Sequence, residues 1–164
     1  MKRALSLLTV SLLQISICYS QASKEEAFMR AFFEVVQKSD KKALVDKFCL
    51  KESDVDVYNE SQKKIGSTKV ISKEEFAKFV DEKNKKIIRD FEELLKHAVT
   101  SKIDFEYTSF ASYKRILAAN AEIPSSYYII TFNYHDLYTF KMKLECCPLG
   151  DDIKLFNVIH KLTM

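Results

Sequence analysis

The chain has 164 residues, 26 Lys+Arg against 23 Asp+Glu, a net charge of +3 and 47% hydrophobic residues. This is the length and composition of one globular domain with material for a core, and so small a basic excess is no footprint of nucleic-acid binding. Gly66 and Gly150 are the only glycines, so neither a GxGxxG turn nor a Walker A loop can be written, and two Gly with two Pro exclude collagen-like and low-complexity chains.

Residues 1–20 read as a secretory signal peptide. Lys2 and Arg3 open it, Ala4 to Ile17 is mostly apolar, and Cys18-Tyr19-Ser20 sets small residues at −3 and −1 of a cut before Gln21. A cut after Ala22 is nearly as good. The apolar run falls short of the roughly 20 residues a spanning helix needs. The mature domain, 21–164, is therefore expected to lack a transmembrane span and to be exported, to the periplasm or outside the cell. A lipid anchor on Cys18 is the weaker alternative, because Ile17 stands where bacterial lipoprotein signals carry a small residue. Loss of Lys2 and Arg3 takes the basic count from 26 to 24 against 23 acidic residues, so no nucleic acid or anionic lipid is expected as partner.

The first half of the mature chain has helical periodicity. Ser23 and Glu26 have capping-box spacing. Phe28, Phe32, Val35 and Val36 then line one helix face. Ser39-Asp40 stops that helix and caps a second, which carries Leu44 and Phe48. Residues 51–64 are polar and irregular, with one alternating patch at Val55 and Val57. Ser72 and Glu75 repeat the capping-box spacing before a long helix bearing Phe76, Phe79, Val80, Ile87, Ile88, Phe91, Leu94 and Leu95, with a break or bend expected near Lys83-Asn84.

From Lys102 the period becomes two. Ile103, Phe105 and Tyr107 predict a strand, Tyr113 to Ile123 a second, and Tyr127 to Tyr134 a third. His135-Asp136 predicts a tight turn. Tyr138, Phe140, Met142, Leu144 and Cys146 share one face of the next strand, Pro148 to Asp152 turns, and Ile153 to Leu162 is the last strand. Helices followed by an antiparallel meander indicate an α+β domain. Of the mature cysteines, Cys146 and Cys147 point to opposite strand faces. Either Cys49 bridges one of them, or all three are part-buried thiols.

This order resembles the NTF2-like superfamily, the cone-shaped fold that includes the ketosteroid-isomerase-like proteins. The resemblance rests on the aromatic-rich stretch from Phe28 to Phe48, with a small residue and Asp40 between two helices. It also rests on the meander Tyr127–Tyr134, Tyr138–Cys147 and Ile153–His160. It implies N-terminal helices packed in the concave face of a curved antiparallel sheet (a cystatin-like cone), an apolar cavity at the open end, and a homodimer through the outer sheet face. Rings expected at such a cavity are Phe32, Tyr128, Phe132, Tyr138 and Phe140.

The isomerase branch resembles a general-base Asp with a Tyr and a protonated acid as oxyanion donors. Asp56 lies about where the base belongs, but Phe32 stands at the Tyr position and Tyr138 to Leu144 brings no inward acid. The dehydratase branch resembles a His–Asp pair beside tyrosines. His135-Asp136 falls at a turn, which leaves His160 with Tyr128, Tyr134 and Tyr138. Asp56 reads better as a solvated carboxylate and the tyrosines as core with hydroxyls at its rim. His97, His135 and His160 have no ligand spacing and no C-x-x-C occurs, so no metal and no cofactor is implied. The leading expectation is an exported, non-catalytic binding or interaction protein that holds an apolar small molecule. The rivals are an isomerase- or dehydratase-type enzyme using His160 or Asp56 with a Tyr hydroxyl such as Tyr134, and a lipid-anchored envelope protein.

Overall fold

The computed structural model describes residues 24–64, 66, 68, 70–117 and 125–163, apart from the side chains of His160 and Lys161. The leader, Cys18 and the Ser23 cap lie outside the described residues. Helix α1 spans 24–37 and buries Met29, Phe32, Phe33, Val35 and Val36, while Glu26 and Arg30 pair across one turn on its exposed side at 2.8 Å. It ends in a Schellman closure: Asp40 N–H donates to Val35 C=O at 3.1 Å and Ser39 N–H to Val36 C=O at 3.0 Å, with Ser39 at φ 51°. The Asp40 carboxylate then accepts from Ala43 N–H at 2.9 Å and caps α2, Lys41–Phe48. Ser39-Asp40 thus both stops and starts a helix, as its chemistry predicts.

The 51–64 stretch is more ordered than its polarity predicts. A single 3-10 turn, Glu52–Asp54, leads into α3, Val55–Lys64. Val55 and Tyr58, one turn apart, are buried, whereas Val57 is exposed, so the Val55/Val57 alternation is no strand. Asn59 clamps the following loop, donating to Ile71 C=O and accepting from Ile71 N–H, both at 3.0 Å. Helix α4, Lys73–Thr100, starts with the capping box: Glu75 N–H donates to Ser72 Oγ at 3.2 Å and Ser72 N–H to Glu75 Oε2 at 3.0 Å. It runs unbroken through Lys83-Asn84; the Asn84 amide donates outward to Leu50 C=O at 3.0 Å, so its polarity serves a tertiary contact. Lys86 also turns inward, linking Asp90 and Asn157 at 2.6 Å each. A second Schellman closure ends α4, with Lys102 at φ 56° and Ile103 N–H donating to Ala98 C=O at 2.8 Å.

That closure displaces the expected 103–108 strand. Phe105–Tyr107 is a 3-10 turn, and β1 is Thr108–Leu117; residues 118–124, where the strand was expected to continue, lie outside the description. Strands β2 (Ser126–Tyr134), β3 (Tyr138–Leu149) and β4 (Asp152–Thr163) complete an antiparallel meander of order β1-β2-β3-β4. The domain is α+β, with the helices preceding the sheet. The β2–β3 turn has His135 and Asp136 at φ 51° and 54°, the primed-turn sense that follows strand twist. Pro148 lies within β3, not in a turn, because the β2–β3 ladder already ends at Ser126–Cys146 and needs no N–H there. Gly150 makes the turn at φ 63°, with Val57 Cγ1 3.0 Å from where a Cβ would stand.

The inner face of the sheet presents Tyr128, Ile130, Phe132, Met142, Leu144, Cys146, Leu155 and Val158 to α1, α2 and the second half of α4. A register shift in β4 keeps Leu155 and Val158 on this face and sends Phe156 to the other, against Phe79 at 6.2 Å. There Cys147, Leu149 and Phe156 meet Val55, Tyr58, Phe76 and Val80, so this end of β3 is covered on both faces. Cys146 and Cys147 accordingly point into different clusters.

Cys49, Cys146 and Cys147 are all free, buried thiols. Burial pushes Cys49 and Cys147 from 9.0 up to about 12, and raises Cys146 well above its ordinary value. The unfolded chain therefore loses these protons first. The contribution of these thiols to stability is complete below pH 9 and is lost as pH rises toward about 12, by about 1.4 kcal/mol per pH unit for each thiol. Denaturant titrations across that window check this, and Cys147→Ala is expected to flatten the slope.

Candidate functional site

Apolar walls and polar groups meet at several places among the described residues. The first is a part-buried ion pair where α1 starts. Glu25 follows the helix period of Met29 and Phe32 and so points into the core, its side chain only 9% exposed. Arg115 of β1 answers it: after a register shift between Phe110 and Ser112, Tyr113 and Arg115 face inward opposite Ile130 and Tyr128. Arg115 Nη1 donates to Glu25 Oε1 at 2.7 Å and its Nε to Ser126 Oγ at 3.0 Å. The Tyr128 phenol lies within the field of the same carboxylate. Burial first, then the Glu25 charge, raises the Tyr128 phenol well above its usual range; the same two causes raise Tyr113. The phenol is thus held protonated beside a carboxylate that already has its cation. This arrangement fastens α1 to the sheet.

The second place is a cleft of about 480 Å³ at the opposite end, between α4 and the 101–107 segment. Leu95, Ala98 and Val99 wall it from α4, and Ile103 and Phe105 from the segment. Gln37, Ser39, Lys102 and Asp104 supply its polar lining. The Schellman closure shapes it, since Lys102 in the left-handed region turns Ile103 back onto Ala98. Gln37 Nε2 donates to Thr108 C=O at 2.9 Å and braces α1 against this segment. The β2–β3 turn stands alongside: Tyr134 OH donates to Lys102 C=O at 3.2 Å, and His135 stacks on Tyr107 at 5.2 Å. Val99, Tyr107, Leu137 and Tyr138 are 77%, 57%, 79% and 56% exposed, so apolar surface gathers at this end.

The residues singled out from sequence are dispersed. Phe32 and Phe132 are fully buried, and Phe140 stacks on Phe132 at 5.9 Å. Tyr128 belongs to the Glu25 cluster, while Tyr138 is exposed near the second cleft. Tyr134 ends β2, and its hydroxyl is committed to Lys102. Asp56 sits exposed in the first turn of α3. The His160 side chain lies outside the description. His135 is exposed at the turn expected for it.

Sequence reading passed over Glu25 and Arg115. The available signal was an acid on the apolar stripe of α1. The second cleft had none, since α1, α4 and a turn build it together. Among the described residues, no helix is long and apolar enough to cross a membrane, and no group of three or more His, Cys, Asp or Glu is placed to hold a metal ion. Comparison of the chain with protein-family models, curated proteins and solved structures finds no match to any of them.

Proposed function

We propose that this is an exported, NTF2-like binding protein without catalytic activity, which engages an apolar small molecule at the cleft between α4 and the 101–107 segment. The observation that carries the reading is that cleft. Its volume of about 480 Å³ is that of a small-molecule site, and its lining joins aliphatic and aromatic residues with Gln37, Ser39, Lys102 and Asp104. The space between helices and sheet, where a cone-shaped fold would place its ligand, is occupied by the rings of Phe32, Phe33, Phe105 and Phe132. The leader at 1–20 supports export. Pairing of two copies through the outer sheet face would have to use the part around Thr131 and Lys141, because Cys147 and Leu149 are covered.

The test uses the neutral fluorophore N-phenyl-1-naphthylamine with the mature protein. Its emission is expected to rise on binding, and Val99→Lys to weaken binding about tenfold. Val99 is 77% exposed, so the variant keeps its circular dichroism and melting behaviour. No emission change, or equal affinity in the variant, overturns the reading. Amino-terminal sequencing of the exported chain is expected to begin at Gln21 or Ser23; a start at Met1 removes the export claim.

A further inference from the structure

A third place, beside the β3–β4 turn, differs from the others in charge. A cleft of about 390 Å³ opens between the start of α1, the end of α2 and the start of β4. Phe28 and Ile153, both half-buried, give it an apolar floor. Lys24, Lys47 and Lys154 line it, together with Asp151 and Asp152.

Lys154 is the unusual member. It is 8% exposed, a rare burial for lysine, and it lies opposite Cys147 on the sheet. Its carboxylate neighbours, Asp54 Oδ2 and Asp152 Oδ2, stand at 3.7 and 3.8 Å, beyond hydrogen-bond distance. Lys154 is ion-paired with both, but loosely: Asp54 Oδ2 also accepts from Lys51 N–H at 2.9 Å, and the Asp152 side chain is 75% exposed. A desolvated cation at this depth gains from an acceptor at bonding distance. The cleft beside it adds two more cations and an apolar floor.

We infer that this cleft is a binding site for an anionic amphiphile, a carboxylate carrying an unbranched alkyl chain, with the carboxylate on Lys154 and Lys47 and the chain over Phe28 and Ile153. This site is separate from the cleft at the end of α4 and does not depend on it. Charge sign and tail are both required: three lysines against two aspartates leave the lining one positive charge in excess, which disfavours a cationic head, and a short carboxylate leaves the floor uncovered.

Calorimetric titration of the mature protein with dodecanoate, dodecyltrimethylammonium and acetate, each below any micelle threshold, is the test. Dodecanoate is expected to bind, and the other two to give no saturable heat. Lys47 is exposed, so Lys47→Glu leaves the fold intact and is expected to weaken dodecanoate about tenfold, while Val99→Lys leaves it unchanged. Lys154→Met is expected to abolish binding; if that variant unfolds, Lys47→Glu and the head-group comparison still decide. Equal binding of the anionic and cationic amphiphiles, an unmoved affinity in Lys47→Glu, or no saturable heat with dodecanoate overturns the assignment. Loss of dodecanoate binding in Val99→Lys would place the ligand at the other cleft and overturn it equally.

Discussion

Phe132→Ala is expected to lower the unfolding free energy by about 3–5 kcal/mol. The ring is fully buried on the inner sheet face, near the β2–β3 turn. Its centroid lies 5.5 Å from Phe33 of α1, 5.5 Å from Phe105 and 5.9 Å from Phe140. Removing it takes away one ring that three elements share, and leaves a void that those rings cannot all close on. Urea denaturation followed by circular dichroism measures the loss. Tyr138→Ala, at a side chain 56% exposed on the same sheet, is the comparison and is expected to change stability by less than about 0.5 kcal/mol. A loss below about 1 kcal/mol for Phe132→Ala would mean that the space around it is hollow or collapsible. It would return the inner face to the list of ligand sites.

Arg115→Leu is expected to cost about 2–3 kcal/mol. The Glu25 side chain is 9% exposed and would lose the guanidinium that neutralises it, while water reaches Arg115 at 34% exposure and softens the penalty. The double variant Glu25→Leu with Arg115→Leu removes both charges and is expected to recover most of the loss, since matched apolar groups replace a buried pair at little cost. A double-mutant cycle in denaturant checks it. Additive losses would show that Arg115 acts through packing over Tyr128 and not through its charge.

The features legible in the sequence are those whose physics is local. Ser72 with Glu75, and Asp40 ahead of Ala43, announce helix starts because the capping atoms lie within three residues of one another. The alternation from Phe140 to Cys146 predicts the face of β3 because strand geometry requires it. Helix α3 was hidden because its apolar positions, Val55 and Tyr58, are outnumbered by solvated residues, and Val57 offered a false two-residue period. The 103–107 segment alternates as a strand would, yet Ile103 and Phe105 are buried by a turn that the Schellman closure forces. Arg115 was illegible because the register shift before Ser112 decides which β1 side chains face inward. The clefts join residues 37 to 105 and 24 to 154, contacts to which no short-range spacing points.

Every described helix of this domain is made before any described strand. The apolar stripes of α1 and α2 find their partners in β2, β3 and β4, which leave the ribosome after them. Helices this short hold little order alone. Until the C-terminal strands arrive, the nascent half is a sticky, half-formed coil that must be shielded from its neighbours. Truncation within the final hairpin should therefore yield not a weaker fold but an aggregating chain.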